Sequence, residues 1–283
     1  MLIKHHLFGV ENKIKNAIEL LRQFEPPEGY YLAFSGGKDS VVIKALADMA
    51  GVKYDAHYNL TTVDPPELIH FIRRHHPDVI EDKPEKSMWQ LIVENGVPPT
   101  RIMRYCCRAL KERGGEGRFC VTGVRWAESV MRKNKRAKIE INSMTKTQIM
   151  LNNDNDEARR VLENCTIKSK HILNPIVSWI DKDVWEFIHR YKIQYCELYD
   201  QGFKRLGCIG CNMASQAERI YQFQRWPKYY DNYLRAFDRM LKAARDAGKE
   251  KQWKTAQDVM DWWIYEPPKE DPNQAKMFEE VQL

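Results

Sequence analysis

The residues best suited to chemistry form one short string, Ser35-Gly36-Gly37-Lys38-Asp39-Ser40. Two glycines without Cβ atoms let backbone N–H groups close around phosphate oxygens. Ser35 and Ser40 add hydroxyl donors, and Lys38 adds a cation. The string lies between an apolar run, Tyr30 to Phe34, and a segment of helical spacing, so a helix would point its positive end at the bound anion. Asp39 would cap that helix or help hold Mg²⁺. The competing reading is a Gly-Gly turn before a capped helix, with no ligand. The string is not a G-x-x-x-x-G-K-[ST] loop.

Cysteines supply a second constellation. Of seven in the chain, Cys106-Cys107 and Cys208-x-x-Cys211 form two pairs far apart in sequence. Four thiolates suit a [4Fe–4S] cluster, one for each iron. Adjacent helical cysteines differ by about 100° in direction, which a wide cluster accommodates better than a single ion. Tetrahedral Zn²⁺ and unligated thiols are the alternatives. Cys120, Cys165 and Cys196 read as small buried hydrophobes, or as a resolving or persulfide-carrying thiol.

Arg125 follows a strand ending at Gly123, at the edge where open α/β sheets bind ligands, and its guanidinium suits phosphate or sulfate. Thr61 and Thr62 follow the second strand and could reach adenosine or ribose. Asp64 is either a Mg²⁺ ligand or a cap before Pro65-Pro66. Arg132, with Lys133, Lys135, Arg136 and Lys138, is a solvated basic loop or a contact for nucleic-acid backbone. His57, His70, His75, His76 and His171 show no metal-ligand spacing. Trp226, Trp253, Trp262 and Trp263 read as the core of a C-terminal helical module.

These residues need elements to hold them. An opening helix ends over Ala17 to Phe24. Strands are expected at Tyr30–Phe34, Val52–Tyr58, Phe119–Gly123 and Ile172–Val177, with helices over Asp39–Met49, Pro65–Arg74, Arg101–Arg113 and Asp183–Tyr191. Alternation of strand and helix predicts a doubly wound, mostly parallel α/β sheet. Arg132 to Lys170 reads as a charged insertion, and Gln216 to Trp263 as a helical appendage. The expected division is 1–213 and 214–283, the last twenty residues forming a Pro- and charge-rich tail. At 283 residues and 43% hydrophobic content, the chain buries a core without disulfides. A net charge of +6 favours anionic ligands, nucleotide or nucleic acid. No apolar leader or membrane-length run is visible, so a cytoplasmic protein with reduced thiols and no membrane partner is expected.

The S-G-G-K-D-S string matches the PP-loop of ATP pyrophosphatases. Further segments match in order: Thr61 to Glu67, Cys106-Cys107-Arg108 with Lys111, Gly123-Val124-Arg125 with Ser129 and Arg132, Asn174-Pro175-Ile176 with Trp179, Tyr199 to Phe203, and Gly207 to Cys211. Over about residues 28 to 213 the chain resembles the phosphoadenylyl- and adenylyl-sulfate reductase family, of the iron–sulfur type. The resemblance implies an adenine nucleotide alpha-hydrolase-like fold. It places Ser35 to Ser40, Thr61, Thr62, Gly123, Arg125, Ser129 and Arg132 around an adenine nucleotide, ATP or a sulfonucleotide, with Mg²⁺. It implies chemistry at Lys38, Asp39 and Arg125, and a [4Fe–4S] cluster on Cys106, Cys107, Cys208 and Cys211. A sulfur-donor protein or thioredoxin-like reductant, and a homodimer, belong to the same expectation.

Two departures matter. Leu60 stands where the family has aspartate, and no cysteine follows Cys211, where assimilatory members carry a nucleophilic E-C-G-[IL]-H tail. The preferred expectation is therefore ATP-dependent activation with release of AMP and pyrophosphate, then sulfur transfer to an acceptor. Sulfonucleotide reduction using a thiol from elsewhere, or from Cys120, Cys165 or Cys196, is the alternative. A non-catalytic nucleotide- and cluster-sensing subunit is a third.

Overall fold

The computed structural model describes residues 2–6, 9–112, 114–142, 148–151 and 170–265. The chain forms two compact units, Met1–Glu85 with Cys107–Cys208, and Lys86–Cys106 with Ile209–Leu283.

In the first unit a hairpin, β1 (Ile3–His6) and β2 (Gly9–Asn12), leads into α1 (Lys13–Gln23). The Asn12 side chain caps α1 by accepting from the N–H groups of Ile14 and Lys15 at 3.1 Å. Then come β3 (Tyr30–Ala33), α2 (Lys38–Ala50), β4 (Tyr54–Asn59), α3 (Pro66–His75) and β5 (Ile80–Asp82). After α4 (Met88–Asn95) and α5 (Tyr105–Leu110) follow β6 (Phe119–Val121), α6 (Val130–Lys135), β7 (Ile139–Asn142), β8 (Gln148–Leu151), β9 (Lys170–Leu173) and α7 (Asp181–Arg190).

Among the described residues seven strands form one sheet in the order β5-β4-β3-β6-β9-β7-β8. The first five are mutually parallel, and β7 runs antiparallel to both β9 and β8. Strands buried on both faces need apolar side chains at every position, which is why Tyr30–Leu32 and Phe119–Val121 read as unbroken runs. The doubly wound, mostly parallel α/β expectation is what the chain adopts.

Three local expectations are corrected. The helix expected over Arg101–Arg113 is confined to Tyr105–Leu110. Its upstream amides are spent in a turn, where Met103 N–H donates to Thr100 Oγ1 at 2.9 Å and Arg104 N–H to Ile102 O at 3.2 Å. The insertion expected over 132–170 contains α6 and two strands that extend the sheet; residues 143–147 and 152–169 lie outside the described residues. Its charge hid the strand because Glu140 is fully buried: its carboxylate accepts from Asn174 Nδ2 at 2.7 Å and Ala137 N–H at 3.2 Å. The segment between residues 76 and 100, left without elements by sequence reasoning, holds β5 and α4, the latter opened by a Ser87–Gln90 capping box.

In the second unit α4 is joined by α8 (Gln216–Arg225), α9 (Pro227–Asp246) and α10 (Ala256–Tyr265), in the stretch expected to be helical. Trp226 and Trp263 are buried there, as expected, and Trp263 Nε1 donates to Pro99 O at 2.7 Å. Trp89 of α4 meets Tyr233 of α9 edge to face at 4.9 Å, which draws Lys86–Cys106 into this unit. The tail expected over the last twenty residues lies almost wholly outside the described residues. Among the described residues no helix is long and apolar enough to cross a membrane.

One buried ion pair ties the first helix to the last of the first unit. Lys13 Nζ donates to Asp183 Oδ2 at 2.5 Å, with side chains 7% and 0% exposed, and Ile180 N–H adds a 3.0 Å bond to the same oxygen. Burial pushes the Asp183 carboxyl up, but Lys13 and the Ile180 amide outweigh it and hold the group below the ordinary aspartate range. A depressed carboxylate contributes stability that is present above its unfolded pKa and lost as pH falls through the folded value. Asp183→Ala leaves the Lys13 charge buried without its partner and is expected to cost about 3–5 kcal/mol in urea unfolding at neutral pH. Asp183→Asn should flatten the acid limb of stability against pH. An unchanged limb would show that the pair carries no linkage.

Candidate functional site

Ser35 to Ser40 turn from the C-terminal end of β3 into the first turn of α2, with Gly37 as N-cap. Gly36 has a φ of +69°, and a Cβ there would stand 2.6 Å from Leu68 Cδ1 and 2.9 Å from Ile72. Only glycine takes this backbone while letting α3 pack against the loop. Ser40 Oγ donates to Gly37 O at 2.8 Å and lies 3.3 Å from Ser35 Oγ, so the two hydroxyls face each other across the turn.

Asp39 is the hinge of the electrostatics. Arg125 Nε donates to Asp39 Oδ1 at 2.7 Å, Arg125 Nη2 to Asp181 Oδ1 at 2.5 Å, and Nη1 to Trp179 O at 3.3 Å. Arg125 is 2% exposed, and Lys38 Nζ stands 3.8 Å from both carboxylates. Burial pushes the Asp39 carboxyl up, against the pull of Lys38 and Arg125. Burial also raises Asp181, but Arg125 and Lys38 outweigh it and hold Asp181 low. Gly123 lets the β6 edge come this close, since a Cβ there would lie 3.1 Å from the Asp39 backbone.

Arg125 was expected as a ligand for phosphate or sulfate. The structure spends its guanidinium on protein oxygens instead, so it positions the loop. Ser129 Oγ accepts from Arg132 N–H at 3.1 Å and caps α6, while Arg132 Nη1 pairs with Glu128. Burial, with the repulsion of Arg205 and Arg136, holds Arg132 below an ordinary arginine against the pull of Glu128.

Thr61 is 1% exposed, and it is not turned to the loop: its Oγ1 lies 3.5 Å from Cys208 Sγ and its N–H donates to Asp64 Oδ2 at 2.7 Å. Thr62 carries a positive φ of 65° in the same turn, a strained conformation for a β-branched residue. Asp64 is itself buried and occupied by that turn rather than capping α3, whose N-cap is Pro65.

Three residues at the loop escaped sequence reasoning as chemistry. Tyr199 accepts a 2.8 Å hydrogen bond from the Lys38 N–H, and Lys204 O accepts from Lys38 Nζ at 3.4 Å. Asp181 supplies the second carboxylate. Tyr199 had a signal, because it opens the matched Tyr199 to Phe203 segment; Asp181 had none, since an acid in a helix's first turn needs no ligand.

The six described cysteines are thiols outside any disulfide. Cys107 and Cys208 belong to the first unit, Cys106 and Cys211 to the second. Cys106 and Cys208 are buried, whereas Cys107 and Cys211 are half-buried. In number and softness these donors fit an iron–sulfur cluster. Among the described residues no three His, Cys, Asp or Glu side chains converge as a metal site. Outside the two pairs, Cys120 is 1% and Cys196 0% exposed, and burial pushes the Cys196 thiol up. Cys165 lies outside the described residues.

Comparison with known proteins bears directly on this loop and its sheet. The phosphoadenosine phosphosulfate reductase domain matches residues 29–214. The chain belongs to that family. An uncharacterized protein of Methanocaldococcus jannaschii is 26% identical over 239 residues, 79% of this chain and 45% of its own. The adenosine 5'-phosphosulfate reductase of Allochromatium vinosum is 26% identical over 175 residues, 56% of this chain and 57% of its own. The phosphoadenylyl-sulfate reductase of Candida auris, solved with phosphate, aligns with a TM-score of 0.47 at 16% identity, covering 68% of this chain and 88% of that one. The chain thus spans about half the length of the first curated relatives it matches. The matched range, residues 29–214, takes in the Ser35–Ser40 loop and both cysteine pairs.

Tyr199 places a hydroxyl oxygen on the Lys38 amide, the position a phosphate oxygen would take in a loop of this form. Tyr199→Phe is expected to tighten inorganic pyrophosphate binding about threefold or more in calorimetric titration, since the ligand no longer displaces a hydrogen bond. Weaker binding would instead make Tyr199 a direct ligand.

Proposed function

We propose that this chain binds ATP on the Ser35–Ser40 loop, activates an acceptor by adenylation with release of pyrophosphate, and completes sulfur transfer to that acceptor. The observation that carries the reading is the anion cradle itself. Two serine hydroxyls, a glycine-opened turn, the α2 N-terminus and Lys38 meet at the carboxyl edge of a parallel sheet.

An acceptor oxygen attacks the α-phosphorus, the α–β P–O bond breaks, and pyrophosphate leaves with the electron pair. The loop amides and Lys38 stabilise that developing charge by position, with no covalent role. Hydrosulfide, released by a donor, then displaces AMP from the acceptor and leaves a thiol. Arg125 fixes Asp39 and Asp181 on either side of Lys38, so the cation is held at the loop without being neutralised by direct contact. Asp39 would be the carboxylate that shares Mg²⁺ with the phosphates. Cys106, Cys107, Cys208 and Cys211 would hold the [4Fe–4S] cluster, which would supply an iron site for sulfur ligands. Ser129, Arg132, Thr62 and Gly123 remain the proposed surroundings of the nucleotide.

The burial of Cys120 and Cys196 weighs against sulfonucleotide reduction by either of those two thiols. Reduction needs an accessible thiolate to attack sulfur, and neither group offers one.

Anaerobically purified protein is expected to convert ATP to AMP and pyrophosphate, and Lys38→Ala to lower that rate at least about 100-fold. It should also carry iron and visible charge-transfer absorption that Cys107→Ser and Cys211→Ser remove. Sulfite formation from phosphoadenylyl sulfate with added thiol, without ATP turnover, would establish the reductase instead. Zinc in place of iron would sink the cluster assignment alone.

A further inference from the structure

The turn that carries Cys211 is held by groups of the second unit. Tyr233 Oη of α9 donates to Ile209 O at 3.0 Å, and Gly210 N–H donates to Gln222 Oε1 of α8 at 2.8 Å. Gly210 has a φ of +72°, and a Cβ there would stand 2.6 Å from Phe223 Cζ, so α8 packs directly on the turn. Ala214 N–H donates to Cys211 O at 3.0 Å, and Arg101 Nε donates to Asn212 O at 3.2 Å. Backbone fixed on both sides of Cys211 gives the side chain next to it a defined place.

That side chain is at odds with its surroundings. Asn212 is 6% exposed, and its Nδ2 is a buried donor with no hydrogen-bond partner among the described residues. An amide N–H left unpaired at such depth is unfavourable. The other end of the same amide lies on the cysteine: Asn212 Oδ1 is 4.0 Å from Cys211 Sγ, the long contact of a weak S–H donor with a carbonyl oxygen. A half-turn about the last torsion exchanges Oδ1 and Nδ2 without moving the backbone, and the orphaned donor then faces the sulfur.

Such a turn suits one state of the sulfur. A thiol has an S–H to give, whereas a cysteine bound to iron has none and its sulfur only accepts. The nearby charge agrees. Arg219, 9% exposed, donates to Trp263 O at 2.7 Å and to Ile264 O at 3.1 Å, and its Nε is a further buried donor without a partner among the described residues. Burial and then the repulsion of Arg101 hold this guanidinium below an ordinary arginine, and negative charge at Cys211 works the other way. Negative sulfur at Cys211 therefore lies in positive surroundings.

We propose that Asn212 positions and tunes the [4Fe–4S] cluster: with iron on Cys211, its Nδ2 donates to the cysteine sulfur. This rests on the cluster of the proposed function and adds the side chain that sets its potential at Cys211. A hydrogen bond to a ligand sulfur draws electron density from the iron–sulfur bond and favours the more negative, reduced cluster, so it raises the reduction potential.

The test uses full-length protein, purified without oxygen, and its Asn212→Leu and Asn212→Asp variants. Leucine keeps the volume and aspartate the shape. Neither offers the N–H, and both leave the backbone carbonyl that Arg101 holds. Iron content should match the wild-type protein. In a one-electron redox titration, each variant should show at least about a threefold smaller ratio of reduced to oxidised cluster at a fixed potential. On the oxidised cluster, the iron–cysteine stretch in resonance Raman spectra should rise in both. Iron-loaded variants that keep the wild-type potential and stretch overturn the inference and leave the cluster standing. So does a change in Asn212→Asp alone, which reports added charge rather than a lost donor. Loss of iron in both variants makes Asn212 a builder of the turn and overturns the tuning role. Wild-type protein without iron removes the cluster and this inference together.

Discussion

Arg125 is the group on which the loop's geometry rests. A guanidinium that is 2% exposed must satisfy its donors from the protein, and its partners are Asp39 at the start of α2, Asp181 at the start of α7, and the carbonyl of Trp179. One planar cation therefore fixes two helix N-termini and the strand edge between them. Removing this charge would leave Lys38 as the remaining cation for the part-buried Asp39, while Asp181 is exposed to water. Gly123 and Trp179 serve the same junction, the one by letting Asp39 approach and the other by accepting from Arg125 Nη1 through its carbonyl.

This arrangement alters what each loop residue can do. Lys38 sits 3.8 Å from two carboxylates that Arg125 already holds, so its ammonium is attracted to both and committed to neither. Tyr199 takes the Lys38 amide, so the cradle is filled by a protein oxygen of phosphate-like placement. A loop with those properties is shaped for an anion that arrives with its own oxygens, and membership in the phosphoadenosine phosphosulfate reductase domain family is consistent with that use.

The parallel sheet of the first unit carries different groups on its two faces. Tyr30 and Leu32 turn toward the α1 and α2 side, whereas Tyr31 packs with Cys120 and Ile172 and lines a cavity beside His57 and Asp82. The register that sets Ala33 beside His57 also sets Asn59 beside Asp82, so one stretch of three strands aligns the polar groups of that face. The cavity and the loop diverge from the same strand, one from its side and one from its end.

The sequence by itself determined the strand–loop–helix unit at Tyr30–Ala50, because a buried parallel strand is uniformly apolar and a Gly-Gly turn before an amphipathic run has few other folds. It also determined the buried tryptophans Trp226 and Trp263 of the C-terminal helices, whose helical periodicity is local. Tertiary structure alone decided the rest. Arg125 looked like an anion ligand because sequence shows a charge and not its partners; Asp39 and Asp181 lie 86 and 56 residues away. Glu140 lies in a segment that read as a charged insertion, and only the fold shows that Asn174 and Ala137 hold it in the core. His57 showed no motif, since its partner Asp82 lies on a neighbouring strand 25 residues later. Local patterns fix elements through short-range backbone physics, whereas the meaning of a charged side chain is set by which distant groups the fold brings within hydrogen-bonding reach.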